Sequence, residues 1–276
     1  MTAAPTVWVP GHVTLLFSVH DAKRPEATGS RGVGITTAEG VRVRLRSDDG
    51  VRVNGRARRI AAVDRVLDAL GATTGVAVET ALPIGMGFGV SGAAALGTAF
   101  AVNRAFGCEL TEDALVRIAH VAEVEAGTGL GDVVAQARGG VVLRLEPGAP
   151  PHGRLDAIPE AGPLEYLALG ALSTPDVLAG DTTPITASGD DALEAVLERP
   201  TLGRSFELAR RFADETGLLD EEVAAVIEDV ETAGGTASMA MLGRTVVALD
   251  DGLTRAGYDA VETAIDPVGV RFLDDA

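Results

Sequence analysis

The sequence predicts an α+β fold in two domains, residues 1–150 and 151–276. Period-2 strand patterns and helical spacing occur in mixed order along the chain instead of strict alternation. A stretch rich in Pro and Gly at 147–163 is typical of a boundary between two such units. The 276 residues are 46% hydrophobic, which is enough for a sizeable core.

The first elements are predicted from short local patterns. Residues 7–10 (VWVP) are expected to form a short strand that runs into a turn, and 21–34 reads as a loop. Residues 41–46 alternate apolar side chains with Arg, the pattern of a half-exposed strand. Helical spacing over 57–70 ends at Gly71, a favoured residue just after a helix.

The middle of the chain carries the strongest local signals. Residues 75–82 predict a strand, and 83–97 (PIGMGFGVSGAAALG) predict a glycine-rich loop that opens a helix reaching about Phe106. Thr111 is a favourable N-cap followed by two acidic residues, so a second helix should run to about Ala126.

The C-terminal half mixes further helices and strands. A strand is predicted at 165–172, helices at 190–198, 204–216 and 221–232, and strands at 245–249, 260–265 and 268–273.

The charge balance argues against two classes of partner. Forty acidic and 23 basic residues give a net charge of −17, which would repel nucleic acid and anionic membranes. Lys23 is the only lysine, and carboxylates dominate the charged residues. We interpret this as adaptation to a salty, haloarchaeal cytoplasm, since at about 1 M salt the Debye length is roughly 3 Å.

Other features agree with a cytoplasmic chain. Cys108 is the only cysteine, so no internal disulfide or zinc site built from cysteines can form. No secretory leader pattern and no run of 18 apolar residues is visible, so we expect neither export nor a membrane span.

The glycine-rich loop has the chemistry of an anion site. Gly85, Gly87 and Gly89 let the backbone approach a ligand, and the following helix N-terminus favours negative charge. The loop lacks the Lys and Ser or Thr of a P-loop and does not fit the dinucleotide fingerprint, which disfavours a nicotinamide-dependent oxidoreductase. Tight packing is the alternative explanation for these glycines.

The same segment resembles the central motif of the GHMP kinase family, with Pro83, Gly87-Phe-Gly-Val-Ser91 and Gly92-Ala-Ala, although Phe88 and Val90 depart from its commonest form. The resemblance implies two domains with the active site between them, and ATP as phosphoryl donor. The residues expected around ATP are Pro83, Gly85, Gly87, Phe88, Gly89, Val90, Ser91, Gly92 and Ala93. Ser91 would also hold Mg²⁺, the alternative being a helix N-cap.

Three carboxylates, Glu123, Glu125 and Asp132, follow in AHVAEVEAGTGLGD (119–132). Hard oxygen ligands suit Mg²⁺, and a carboxylate can deprotonate a hydroxyl. By resemblance, Glu123 is the metal ligand, with Glu125 as its rival, and Asp132 is the catalytic aspartate. Asp132 could instead cap a helix that begins near Val133.

The N-terminal PGHVT (10–14), GSRGVGI (29–35) and the later GLGD, GGVVLR and SMAMLG stretches resemble archaeal pantoate kinases within that family. His12 stands where most relatives carry Arg or Lys, and we expect His12 and Thr14 to contact the acceptor. The alternative for His12 is a turn histidine that is hydrogen-bonded to nearby backbone. The segment GGTASMAMLG (234–243) matches a second glycine-rich loop, with Ser238 as an expected acceptor contact; a packed strand junction is the alternative.

The expected function is phosphorylation of pantoate for coenzyme A synthesis. Pantoate carries a carboxylate, which a planar guanidinium binds well. We favour Arg144 for this role, with Ser30 and Arg31 as support. The alternatives are another acceptor, such as mevalonate, homoserine or a sugar, or a regulator of this fold without catalysis. A homodimer is a further expectation from the resemblance.

Overall fold

Two β-sheets and their covering helices make up the described residues, 5–172 and 180–273, of the computed structural model. The larger sheet contains β1 (Thr6–His20), β2 (Gly29–Arg46), β3 (Val51–Val53), β4 (Arg56–Ala57), β5 (Gly75–Thr80), β6 (Val141–Glu146), β7 (Arg154–Ile158) and the late strand β12 (Arg271–Leu273). Its order is β12-β1-β2-β5-β3-β4, and β6 pairs with both β2 and β7. Only the β3–β5 pair is parallel among these described strands.

The smaller sheet is antiparallel and comes from the second half of the chain. It contains β8 (Pro163–Ala171), β9 (Ala237–Ala240), β10 (Gly243–Leu249) and β11 (Val261–Ala264), in the order β11-β8-β10-β9. The helices are α1 (Ala61–Ala69), α2 (Val90–Phe106), α3 (Glu112–Ala126), α4 (Asp132–Arg138), α5 (Thr183–Glu198), α6 (Leu202–Glu215), α7 (Glu221–Thr232) and α8 (Gly252–Arg255). The architecture is α+β, as the sequence predicts.

Helix α2 is the central element of the first core. It is buried almost all round from Val90 to Val102 and packs between the larger sheet and helices α1 and α3. Its small residues permit this close approach: a Cβ atom at Gly97 would lie 2.5 Å from a methyl carbon of Val43. The alanine and glycine content of this segment is therefore explained by packing on the sheet, and the packing fixes where the helix N-terminus lies.

Both helices predicted from the middle of the chain are confirmed. Helix α2 ends at Phe106 and α3 at Ala126, as expected. The side chain of Thr111 accepts a hydrogen bond from the backbone N–H of Ala114, which is the N-cap interaction that the sequence predicts.

Three N-terminal predictions were wrong. Strand β1 continues through Pro10 and Gly11 with a register shift between them, where a turn was expected. The missing N–H of Pro10 is tolerated because pairing with β12 ends at Trp8. The expected loop 21–34 already becomes strand β2 at Gly29, and the helix expected from residue 57 starts at Ala61 because Ala57 belongs to β4.

Smaller differences occur in the second half. Helix α5 begins at Thr183, seven residues before its predicted start, and β12 is limited to Arg271–Leu273. The division into two domains at residue 150 stays a prediction; the change from one sheet to the other falls between Ile158 and Pro163. Within 5–172 and 180–273, no helix combines the length and hydrophobicity required to cross a bilayer.

Candidate active site

A cavity of about 300 Å³ lies where the glycine-rich loop meets the N-terminus of α2. Residues from both halves of the chain surround it, including the turn between β9 and β10. Its lining consists of Thr14, Ile84, Gly85, Gly87, Phe88, Gly89, Val90, Ser91, Glu123, Thr128, Asp132, Leu172, Met241 and Leu242. We call this space the loop cavity.

The glycine-rich loop presents backbone amides to the loop cavity. Gly87 and Gly89 have φ angles of 88° and 60°, which favour glycine over other residues. Gly89 is the N-cap of α2, and no side chain caps this helix and no acidic residue lies in its first turn. Its first N–H groups are therefore available to an anion, and the helix dipole favours negative charge there.

The second glycine-rich segment buttresses this loop. A Cβ atom at Gly243 would lie 2.2 Å from the carbonyl carbon of Met86, so only glycine allows these two segments of the chain to come so close. The Thr245 hydroxyl donates to the carbonyl oxygen of Met86 at 2.9 Å. The segment GGTASMAMLG (234–243) is thus a packed strand junction directly against the first loop, and its Met241 and Leu242 also line the loop cavity.

Hard oxygen atoms converge at one end of the loop cavity. The Ser91 hydroxyl donates to Oε1 of Glu123 at 2.5 Å, and Thr128 donates to the same oxygen at 2.9 Å. A Cβ atom at Gly129 would lie 2.6 Å from Oε2 of Glu123 and 3.2 Å from Oδ2 of Asp132, so both carboxylates border one small space.

This oxygen set fits Mg²⁺ chemically. Among the residues that the structure describes, no cluster of three or more His, Cys, Asp or Glu side chains forms a complete metal cage. Mg²⁺ commonly uses one or two carboxylates and completes its shell with water and substrate phosphates. The alternative role of Ser91 as a helix cap is not observed, because Gly89 occupies the cap position.

Glu123 is buried in this site, and burial raises its pKa to about 7. The charge of Asp132 acts in the same direction, while the Ser91 and Thr128 hydrogen bonds oppose it. The unfolded chain ionises this group near its ordinary value of 4.5, whereas the folded chain retains the proton until about pH 7. Stability is therefore lost as pH rises between those two values.

Replacing Glu123 with Gln should remove this loss. In metal-free, salt-rich buffer we expect Glu123→Gln to gain stability relative to the parent as the pH rises from 5 to 8, by at most about 3 kcal/mol. Chemical denaturation at each pH measures the difference. Glu125→Gln is the matched control, because Glu125 is exposed and paired with Arg65. A stability difference that stays constant with pH would contradict the assignment.

Asp132 begins helix α4 and faces both the loop cavity and a second, smaller one. Its Oδ1 lies 2.6 Å from Nδ1 of the fully buried His12. Burial alone would raise the pKa of Asp132, but the hydrogen bond from His12 and the positive charge of Arg144 together hold it below its usual range. The carboxylate is therefore ionised at neutral pH and available to accept a proton.

The small cavity contains a buried cation. Its volume is about 20 Å³, and it is lined by Thr14, Phe17, Ser30, Leu130, Gly131, Asp132, Arg144 and Leu242. Arg144 is 1% exposed, and its Nε has no hydrogen-bond partner. Burial lowers the pKa of Arg144 to about 10, opposed by Asp132, so the guanidinium stays charged at neutral pH. A buried cation with a free donor suits an anionic group of a ligand.

Comparison with known proteins identifies the family. The family model described as the GHMP kinases N terminal domain matches residues 57–140. A pantoate kinase of Methanocaldococcus jannaschii is 33% identical over 248 residues, covering 87% of this chain and 90% of that protein. The chain belongs to the pantoate kinase family. A pantoate kinase of Thermococcus kodakarensis is 35% identical over 261 residues, covering 88% of this chain and 86% of the relative.

The fold of this pantoate kinase family member is similar to that of a solved structure. It is described as a phosphotransferase related to the CoA biosynthesis pathway, with 30% identity and a TM-score of 0.86. The alignment covers 98% of each chain. The GHMP kinase fold expected from the glycine-rich motif is therefore confirmed.

Most residues expected at the site of this pantoate kinase family member lie around the two cavities. Gly85, Gly87, Phe88, Gly89, Val90, Ser91 and Glu123 line the loop cavity, Ser30 and Arg144 line the small one, and Thr14 and Asp132 line both. Pro83, Gly92, Ala93, His12, Arg31 and Ser238 line neither. Ser238 is buried in β9, and its hydroxyl has no partner.

In this pantoate kinase family member, Arg31 forms ion pairs away from both cavities. Its guanidinium donates to Asp190 at 2.8 Å and Glu194 at 2.7 Å, both on α5, and its Nε donates to the carbonyl of Leu145. With two carboxylates already beside it, Arg31 is poorly placed to bind a third. Of the two candidate arginines, Arg144 is the one whose geometry suits a ligand carboxylate.

Several cavity residues were not anticipated. Phe17, Leu130 and Leu242 form the apolar part of the small cavity. The buried side chain of Gln136 donates to the carbonyl of Gly89 at 3.0 Å and so ties α4 to the glycine-rich loop. Isolated apolar or amide side chains carry no spacing signal, although the φ of 63° at the non-glycine Leu242 marks a constrained turn.

Proposed function

We propose that the chain transfers the γ-phosphoryl group of ATP to the primary hydroxyl of pantoate, giving 4-phosphopantoate for coenzyme A synthesis. One observation carries the proposal: Asp132 lines both the loop cavity and the small cavity that contains Arg144. A carboxylate in that place can reach the hydroxyl of an acceptor molecule whose other end is bound by the guanidinium of Arg144. The pantoate kinases at 33% and 35% identity support the choice of acceptor.

The donor phosphates would lie on the glycine-rich loop. The amides at the start of α2 would stabilise their charge without any rearrangement, since Gly89 leaves them uncapped. Ser91 and Glu123 would hold Mg²⁺, which when bound neutralises phosphate charge during transfer. The hydrogen bond between these two residues would then give way to ligation.

The acceptor would lie across the small cavity. Arg144 would bind the carboxylate, with Ser30 and Thr14 nearby as hydroxyl partners. Asp132 would accept the proton of the primary hydroxyl. The hydroxyl oxygen would form the new bond to the γ-phosphorus, while the bond between that phosphorus and ADP breaks. Phe17, Leu130 and Leu242 would contact the methyl-bearing carbon, which fits the branched skeleton of pantoate.

We also propose that this enzyme works in concentrated salt within the cytoplasm. The net charge of −17 with a single lysine supports it. Screening at molar salt removes most of the repulsion between surface carboxylates. Dilute buffer should therefore weaken the folded state without any change at the site.

The first test is an ADP-release assay at molar KCl with ATP, Mg²⁺ and four separate acceptors: pantoate, mevalonate, homoserine and galactose. We expect turnover with pantoate at least about tenfold above the others, because Arg144 would lose its carboxylate partner with galactose, and the apolar wall would be poorly filled by homoserine. Preference for another acceptor would overturn the pantoate assignment, and ATP binding without turnover on any acceptor would favour a regulator.

A further inference from the structure

His12 connects the two charged groups of the site without lining either cavity. Its Nδ1 lies 2.6 Å from Oδ1 of Asp132, and its Nε2 lies 3.5 Å from a terminal nitrogen of Arg144. The ring is fully buried. The residue expected to touch the acceptor thus touches the groups expected to bind it.

The partners of the ring determine which nitrogen carries the proton. A guanidinium has only donors, so Nε2 must be the acceptor toward Arg144. Nδ1 then carries the hydrogen and donates to Asp132. Burial lowers the pKa of His12 despite the raising effect of Asp132, which agrees with a neutral ring.

The surrounding chain holds the ring in this orientation. The backbone N–H of His12 donates to the carbonyl of Phe88 in the glycine-rich loop at 3.0 Å, so β1 is fixed to that loop beside the ring. A Cβ atom at Gly34 would lie 2.1 Å from Nε2, and only a glycine leaves room for the imidazole there. Hydrogen bonds therefore link His12 to both the glycine-rich loop and the Asp132 carboxylate.

We propose that His12 is a positioning residue, which holds Asp132 through Nδ1–H and Arg144 through Nε2 and so fixes the distance between the proton acceptor and the carboxylate-binding group. This inference rests on the proposed function. With Oδ1 occupied by His12, Oδ2 is the oxygen left for the acceptor hydroxyl. Small displacements of such groups can reduce turnover by about 10²-fold.

Two substitutions separate the roles of the ring nitrogens. The amide of Asn can take the place of Nδ1, whereas the amide of Gln reaches the place of Nε2. We expect His12→Asn to keep kcat within about tenfold of the parent, and His12→Gln to lose about 100-fold in kcat with the KM for ATP unchanged. Thermal unfolding of each variant in molar salt confirms that it is folded.

Equal losses in both variants, or a smaller loss in His12→Gln, would overturn the proposal. A raised pantoate KM with intact kcat in both would return His12 to the role of a direct acceptor ligand. Gly34→Ala offers an indirect variant that displaces the ring while His12 itself is retained, and we expect it to lower kcat as well.

A measurement without turnover keeps this test separate from the proposed function. The full chain contains four histidines, so ¹⁵N spectra of its imidazoles can be assigned by the signal that disappears in His12→Asn. We expect a proton on Nδ1 and none on Nε2 at neutral pH. The opposite tautomer would overturn the proposal even if the chain phosphorylates pantoate, and the expected tautomer would support it on any acceptor.

Discussion

Asp132→Asn is expected to reduce kcat about 10²- to 10⁴-fold while the affinity for ATP stays nearly unchanged. The substitution preserves shape: the Asn oxygen can still accept the hydrogen bond from His12, and the amide nitrogen replaces Oδ2. What is lost is the negative charge and the ability to accept a proton, which is the usual contribution of a general base. Steady-state kinetics with varied pantoate and a separate ATP-binding titration measure the two effects.

The control for this experiment is Glu125→Gln, since Glu125 is a nearby acidic residue that pairs with the exposed Arg65. It should keep turnover within a factor of about two. Near-normal turnover in Asp132→Asn would exclude Asp132 as the proton acceptor. Weakened ATP binding with intact kcat would instead assign Asp132 to the nucleotide side of the cavity.

The features predicted correctly from the sequence depend on local signals. The glycine-rich loop, the start of α2 and the N-cap at Thr111 each arise from residues adjacent in the chain. Glu123 and Asp132 lie within one short motif, and the structure places both at the loop cavity; their roles stay predictions. Such patterns can be recognised without knowledge of the tertiary structure, because they depend on residues that are adjacent in the sequence.

The features that were missed depend on pairing between distant segments. Strand β1 continues through Pro10 because a bulge and the short β12 make the missing N–H harmless, which no local pattern indicates. No local pattern indicates the ion pairs of Arg31, because their two carboxylates come from α5, about 160 positions away in the sequence. The contact between His12 and Asp132 joins residues 120 positions apart.

Arg144→Met should raise the KM for pantoate roughly 30- to 1,000-fold with a smaller effect on ATP. The guanidinium is buried, its Nε has no protein partner, and a carboxylate bound there would lose a charge-assisted interaction in a site shielded from water. Arg144→Lys keeps the charge but loses the planar fork, so we expect an intermediate effect. Arg31→Met is the control and should leave pantoate saturation almost unchanged.

Changing the acceptor as well as the enzyme separates carboxylate recognition from general damage. The triol in which the carboxylate of pantoate is reduced to an alcohol should be a poor acceptor for the parent enzyme, and Arg144→Met should weaken it little further. The two changes would then be strongly non-additive, as expected when each removes the same interaction. Additive losses would mean that Arg144 acts elsewhere, for example by supporting Asp132 through His12, and the carboxylate would need another partner.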